Sequence, residues 1–139
     1  MMKNKMKIFN TKLNVITKPR PRFAKGHAYM PAAYTKRKKE LSADFASQDI
    51  SDPFKGPVTI LIKIFTNNKR RADVEGLFGC IADSLEGIAY YDDIQIVSLE
   101  AHHRKTGHLM EPMVYIEVHE HIQNLIDGYV DKVSKKIKS

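Results

Sequence analysis

Between Pro57 and Glu86 the spacing of apolar residues changes period, and that change limits what the chain can fold into. Val58, Ile60, Ile62 and Ile64 recur at every second position and alternate with Thr59, Leu61 and Lys63, which predicts a strand over Pro57 to Phe65. After the polar stretch Thr66 to Arg71, Val74, Leu77, Phe78, Ile81 and Leu85 recur at helical spacing. A helix is therefore expected from near Asp73 to about Glu86, with Gly87 as its natural stop. A strand feeding a helix with an apolar face calls for a sheet with helices around it. The expected fold class is α/β (α+β), a single small domain with a mixed sheet flanked by helices.

The rest of the chain extends this pattern. Lys7 to Ile16 alternate loosely and suit a half-buried strand. In Lys18-Pro19-Arg20-Pro21-Arg22-Phe23 two prolines block regular structure and hold the chain extended as a basic loop. A helix is expected from Pro31 to about Gln48, with Tyr34, Leu41, Phe45 and Ala46 on its apolar side and a basic run Lys36, Arg37, Lys38 and Lys39. A strand through Ile94, Ile96, Val97 and Leu99, a polar turn at Arg104 to His108 and a strand from Met113 to Val118 together predict a hairpin. Ile122, Leu125, Ile126, Tyr129, Val133 and Ile137 fall on one face of a C-terminal amphipathic helix, with Lys132, Lys135, Lys136 and Lys138 largely opposite.

At 139 residues the chain is long enough for one core and too short for two. No apolar run reaches membrane-spanning length, and the Lys-rich Met1 to Lys7 leads into polar sequence, so a cytoplasmic protein with no membrane partner is expected. A single cysteine, Cys80, is expected to be a buried thiol. His102, His103, His119 and His121 lack the four-ligand spacing of structural zinc and are expected at the surface. The formal net charge of +7 favours a polyanionic partner, because lysine and arginine gain free energy by releasing counterions condensed on nucleic acid.

Phosphodiester hydrolysis needs a cation to neutralise the phosphoryl oxygens, an activated water and room for the leaving oxygen. Asp73 and Glu75 stand at a predicted helix start after one strand, and Asp92-Asp93 stand just before the next. Pairing of those strands would bring the acids to one edge, where hard oxygen ligands suit Mg²⁺ or Mn²⁺. Acids in a first helical turn also complement the helix dipole, and an Asp-Asp pair also makes turns, so both explanations stand. The basic triplet Lys69-Arg70-Arg71 beside Asp73 fits a phosphate approaching a carboxylate-bound metal, and it equally fits a solvated loop. Arg20, Arg22, Phe23 and Lys25 are candidate DNA contacts, with Phe23 either against a base or in the core. Lys36 and Arg37 are candidate phosphate contacts on the first helix.

Three blocks in order resemble one known family. They are Pro19-Arg20-Pro21-Arg22-Phe23 with Tyr29-Met30-Pro31, then Arg71-Ala72-Asp73-Val74-Glu75-Gly76-Leu77, then Asp83-Ser84-Leu85-Glu86-Gly87 leading to Tyr91-Asp92-Asp93-Ile94-Gln95-Ile96. Over roughly Lys18 to Val118 the chain resembles the RusA-type crossover (Holliday) junction endodeoxyribonucleases of bacteria and their phages. The resemblance implies a homodimeric α/β nuclease that resolves four-way DNA junctions by paired nicks in recombination and repair, using Mg²⁺ or Mn²⁺. By position, the catalytic metal ligands it implies are Asp73, Glu75 and Asp93, with Asp92 as the adjacent acid. One nuclease domain is expected over residues 1–120, with 121–139, read from its periodicity, a basic amphipathic helix of the same domain.

The chain departs from the family pattern twice. Asp73-Val74-Glu75-Gly76 replaces the common Asp-x-Asp-Asn, which lengthens one ligand arm by a methylene. Gly79 stands where the family commonly has a lysine, and Lys69, Arg71 or Lys105 are the candidates to supply that cation. These departures leave a second reading, a catalytically impaired branched-DNA-binding dimer. Gly76 and Gly79 each weaken a helix by about 1 kcal/mol relative to alanine, which argues for a packing reason such as close approach of a backbone or of DNA.

Overall fold

The structure is a computed structural model that describes residues 5–66, 74–105 and 111–121. In order, the elements are β1 (Lys5–Thr11), β2 (Arg22–Ala24), β3 (His27–Tyr29), α1 (Ala32–Gln48), β4 (Val58–Thr66), α2 (Val74–Leu85), a one-turn 3-10 helix (Asp93–Gln95), β5 (Ile96–Lys105) and β6 (Met113–Glu120). Four strands form a mixed sheet in the order β1-β6-β4-β5, and β2 and β3 form a separate two-stranded ribbon.

Period-two patterning explains the sheet. Val58, Ile60, Ile62 and Ile64 are buried, and Val114, Ile116 and Val118 of β6 meet them from the neighbouring strand. One row shows the arrangement: Phe9, Ile116, Ile62 and Ala101 lie side by side across all four strands. The helices α1 and α2 pack together over this face through Tyr34, Leu41 and Phe45 on one and Leu77, Cys80, Ile81 and Leu85 on the other. Burying such aliphatic side chains contributes roughly 1.5–3 kcal/mol each.

The hairpin expected between the last two strands does not form. β5 runs parallel to β4, β6 runs antiparallel to β4, and β4 lies between them. The reason is burial: the apolar β4 takes a central place, whereas most of β5 is exposed and suits an edge. Consecutive β4, α2 and β5 thus form a β-α-β unit, in which parallel strands need a helical crossover.

Two further boundaries differ from expectation. β1 ends at Thr11, whose hydroxyl accepts from the Leu13 N–H, and residues 12–21 run without regular structure. The basic loop contains the β2–β3 ribbon, closed by Lys25 (φ 52°) and Gly26 (φ 79°). Two successive left-handed residues match the twist of a tight hairpin, and glycine makes the second one free of strain. The C-terminal amphipathic helix, the triplet Lys69-Arg70-Arg71 and Asp73 lie outside the described residues.

The other edge strand, β1, carries an inward-facing lysine. Lys7 is buried, its ammonium 3.2 Å from Asp49 and 5.0 Å from the centroid of the Phe54 ring, with a hydrogen bond to the Ser51 hydroxyl. An inward charge on an edge strand discourages pairing with foreign strands.

Candidate active site

The turn between α2 and β5 is built by hydrogen bonds that its sequence dictates. Gly87 (φ 81°) lets the chain reverse after α2, and the Ile88 and Ala89 N–H groups return to the Leu85 carbonyl. The buried Tyr90 hydroxyl donates to the Ala82 carbonyl at 2.7 Å and pins the turn to the helix. Asp92 then caps the 3-10 helix: its carboxylate accepts from the Ile94 N–H at 2.9 Å, and the Gln95 side chain accepts from the Asp92 N–H at 3.0 Å. Gln95 also accepts from Tyr91 N–H and donates to the Phe54 and Gly56 carbonyls, which fastens the turn to the loop before β4.

This scaffold gathers carboxylates. Ligand oxygens of Glu86, Asp92 and Asp93 lie within 4.8 Å of one another at the surface, and the Glu86 carboxylate also accepts from the Asp93 N–H. The hydrogen bond from the Ile94 N–H, followed by one shared with Asp93, holds Asp92 below the usual carboxylate range. Its neighbour moves the other way. Asp93 is pushed up, first by the hydrogen bond with Asp92, then by burial and the charges of Asp92 and Asp83, with Lys18 opposing. Two touching carboxylates resist ionising together unless a cation joins them. Three hard oxygen donors at this spacing fit a small divalent ion, whose oxygen ligands sit about 2.0–2.6 Å from the metal.

Beside the cluster a cleft of about 420 Å³ opens between α2 and β5, lined in part by Lys18, Gly79, Asp83, Asp93 and Leu99. Gly76, Gly79 and Asp83 fall at i, i+3 and i+7 of α2 and so share one helix face. The segment after β1 docks there. Lys18 donates its backbone N–H to the Gly76 carbonyl at 3.0 Å, its stem crosses Gly79, and its ammonium meets Asp83 at 3.0 Å. A Cβ on Gly79 would stand 3.1 Å from Lys18 Cδ and 3.2 Å from Lys18 Cβ, so the absent side chain is the space the lysine occupies. Asp83 also accepts from the Tyr34 hydroxyl at 2.5 Å. The packing reason expected for Gly79 is thus a lysine stem.

The residues singled out in the sequence are dispersed more widely than the cluster. Glu75 is exposed in the first turn of α2, apart from the three converging acids. Arg20, Arg22, Lys25 and Lys36 are exposed, and Phe23 is 79% exposed on β2, outside the core. Arg37 lies 3.8 Å from Glu40, and Lys105 is exposed at the end of β5. The histidines each have an oxygen partner of their own: Glu100 for His102, Thr66 for His103, Glu117 for His119 and Thr59 for His121. Cys80 is buried, and burial above all pushes its thiol up.

Three participants were missed from sequence: Glu86, Asp83 and Lys18. A signal existed for the two acids. Negative charge at a helix C-terminal end opposes the helix dipole, so acids there ask for another role. No local signal marks Lys18, which meets Asp83 across 65 positions of sequence.

The family model described as Endodeoxyribonuclease RusA matches residues 12–119, and the chain belongs to that family. The match spans β2 to β5, the carboxylate turn and nearly all of β6. No individual curated protein gives a significant match. Members of that family are endodeoxyribonucleases associated with Holliday-junction resolution and branched DNA. Among the described residues no helix is long and apolar enough to cross a membrane.

Proposed function

We propose that this protein is a Mg²⁺- or Mn²⁺-dependent endodeoxyribonuclease that nicks four-way and other branched DNA junctions in the cytoplasm as a homodimer. The observation that carries the reading is the convergence of Glu86, Asp92 and Asp93 beside an open cleft, within the span of the family match. Asp93 is a metal ligand in this reading, together with Asp73 and Glu75 and with Asp92 or Glu86 completing the set. A divalent ion bound there supplies Lewis acidity toward a phosphoryl oxygen and lowers the pKa of a water. The protein's part is to hold the carboxylates on a turn made rigid by Asp92 and Gln95 and to leave the cleft open to a strand.

The ribbon presents Arg22, Phe23, Lys25 and Tyr29 on exposed backbone, a combination of cations and aromatic faces suited to phosphates and unstacked bases. Arg20, Lys36 and Arg37 extend that basic surface, and Lys69, Arg70, Arg71 and Lys105 are the further DNA contacts. A two-fold symmetric enzyme sets two sites on symmetry-related strands, which is the physical case for a dimer. In this reading residues 1–120 are the nuclease domain and 121–139 belong to the same domain.

The test incubates the protein with a labelled synthetic four-way junction, with and without Mg²⁺ or Mn²⁺, beside Asp93→Asn and Asp73→Asn. Metal-dependent paired nicks lost in both variants are expected. A wild-type protein that binds the junction and never nicks it in either metal would sink the nuclease reading and leave a binding dimer of the same fold.

A further inference from the structure

The carboxylate cluster poses an electrostatic problem for a polyanionic substrate. Glu86, Asp92, Asp93 and Asp83 are four acids at or beside one cleft, and a DNA phosphate entering it meets like charge. Among the described residues that line the cleft Lys18 is the one basic side chain, and its position is over-determined. Its backbone is fixed to the Gly76 carbonyl, its stem fills the space left by Gly79, and Asp83 receives its ammonium at 3.0 and 3.2 Å from the two oxygens. Tyr34 holds Asp83 in turn. The side chain nevertheless remains 38% exposed, so an ammonium with three N–H donors keeps hydrogen-bonding capacity toward the cleft.

We propose that Lys18, laid across Gly79 and aimed by Asp83, is the residue that contacts the scissile phosphate, donating to a non-bridging oxygen of a DNA phosphodiester seated beside Asp93. The proposal rests on the endonuclease reading above and adds to it a catalytic residue delivered from outside the acidic blocks. Asp83 and Gly79 are positioning residues that act through Lys18. A fixed donor already in place needs no reorganisation when charge builds on the phosphoryl group, and removal of one such donor in other enzymes costs about 10²–10³ in rate.

The experiment compares wild type, Lys18→Ala, Lys18→Arg, Gly79→Ala and the Lys18→Ala/Gly79→Ala double variant, each checked for its melting transition. Single-turnover nicking of a four-way junction in Mn²⁺ is measured first. Junction affinity without metal is then measured across a salt series. Lys18→Ala is expected to slow nicking about 100-fold, and to lower the slope of log affinity against log salt by about 1, the signature of one lost phosphate contact. Lys18→Arg restores part of the rate. Gly79→Ala slows nicking several-fold in the wild-type background and has no effect once Lys18 is alanine.

Failures of the two ideas separate. Wild-type nicking matched by Lys18→Ala overturns the proposal and leaves the endonuclease reading intact. A wild type that never nicks, yet loses salt slope on Lys18→Ala, keeps the phosphate contact and removes the nuclease. Slower nicking with an unchanged slope would reduce Lys18 to a prop for Asp83 and also overturn the contact. A wild type that binds no junction overturns both. If Lys18→Ala unfolds, the Lys18→Arg and Gly79→Ala rates decide: wild-type values for both refute the proposal.

Discussion

Two lysine–aspartate pairs in this protein have nearly the same geometry and do different work. Lys7 meets Asp49 at 3.2 Å with its side chain 4% exposed, between a strand and the end of α1. Lys18 meets Asp83 at 3.0 Å with its side chain 38% exposed, over a helix groove and beside three converging carboxylates. The buried lysine has its partners arranged around it: Asp49, the Ser51 hydroxyl and the Phe54 ring. The exposed one lines an open cleft together with Asp83 and Gly79. Burial and company, more than the ion pair, decide whether a lysine serves the fold or a ligand.

Breaking each pair tests that contrast, and the largest effect belongs to the buried one. Lys7→Ala is expected to cost about 3 kcal/mol of unfolding free energy, because it removes the packing of a buried stem as well as the cation facing the partly exposed Asp49, which keeps Ser51. Urea denaturation measures it, and a loss under about 1 kcal/mol would put Lys7 in the same class as a surface pair. Gln95→Ala comes next. It removes the acceptor for two backbone N–H groups and the donor to two carbonyls, so about 2 kcal/mol of stability and about tenfold in Mn²⁺ affinity should go together. Calorimetric titration of Mn²⁺ alongside denaturation checks whether the two losses travel together.

A smaller effect appears in acid. Burial alone would raise Asp49, but hydrogen bonds from Ser51 and Lys7 overcome it and hold the carboxyl below its ordinary 3.8. A lowered folded-state value means that the unfolded chain takes up the proton first as pH falls. The stabilisation is complete above about pH 4 and drains away as pH falls through the lowered folded value. Below pH 4 the urea midpoint of wild type should therefore fall more steeply than that of Asp49→Asn. Equal slopes would remove Asp49 from the acid response. Smallest is the stability change of Lys18→Ala, under about 1 kcal/mol for a partly exposed pair, even though its nicking rate is expected to collapse.

Much of the frame was legible in the sequence because periodicity reports burial directly. The alternation Val58, Ile60, Ile62, Ile64 became the central strand, the 3.6-residue spacing from Val74 to Leu85 became α2, and Pro31 to Gln48 became α1. Strand order was harder. The sequence neighbours β5 and β6 look like a hairpin until the more apolar β4 takes the place between them. The ribbon hid in Lys25-Gly26, a turn signal weaker than Asn-Gly, after prolines that argued against any structure. In the candidate site the Asp92-Asp93 pair was visible as acids before a strand, and Gln95 as part of the same block. Glu86 stood only seven residues before Asp93, marked by no more than its place at a helix end, whereas the pairing of Lys18 with Asp83 takes shape only once the chain folds back on α2, across 65 positions.

The loop before β4 links the carboxylate turn to the far end of β6. Phe54 and Gly56 accept from Gln95, the Lys55 and Gly56 amides donate to Glu120, and Pro57 accepts from His121. The last described residues of the chain are therefore one short loop away from the acids, although they are distant in sequence. Whatever pulls on the protein just beyond His121, such as a fused tag, a tether or a docked partner, pulls through four backbone positions on the turn that carries Asp92 and Asp93. Amide exchange at Lys55 and Gly56 would register that tension at the carboxylates before any change in the sheet.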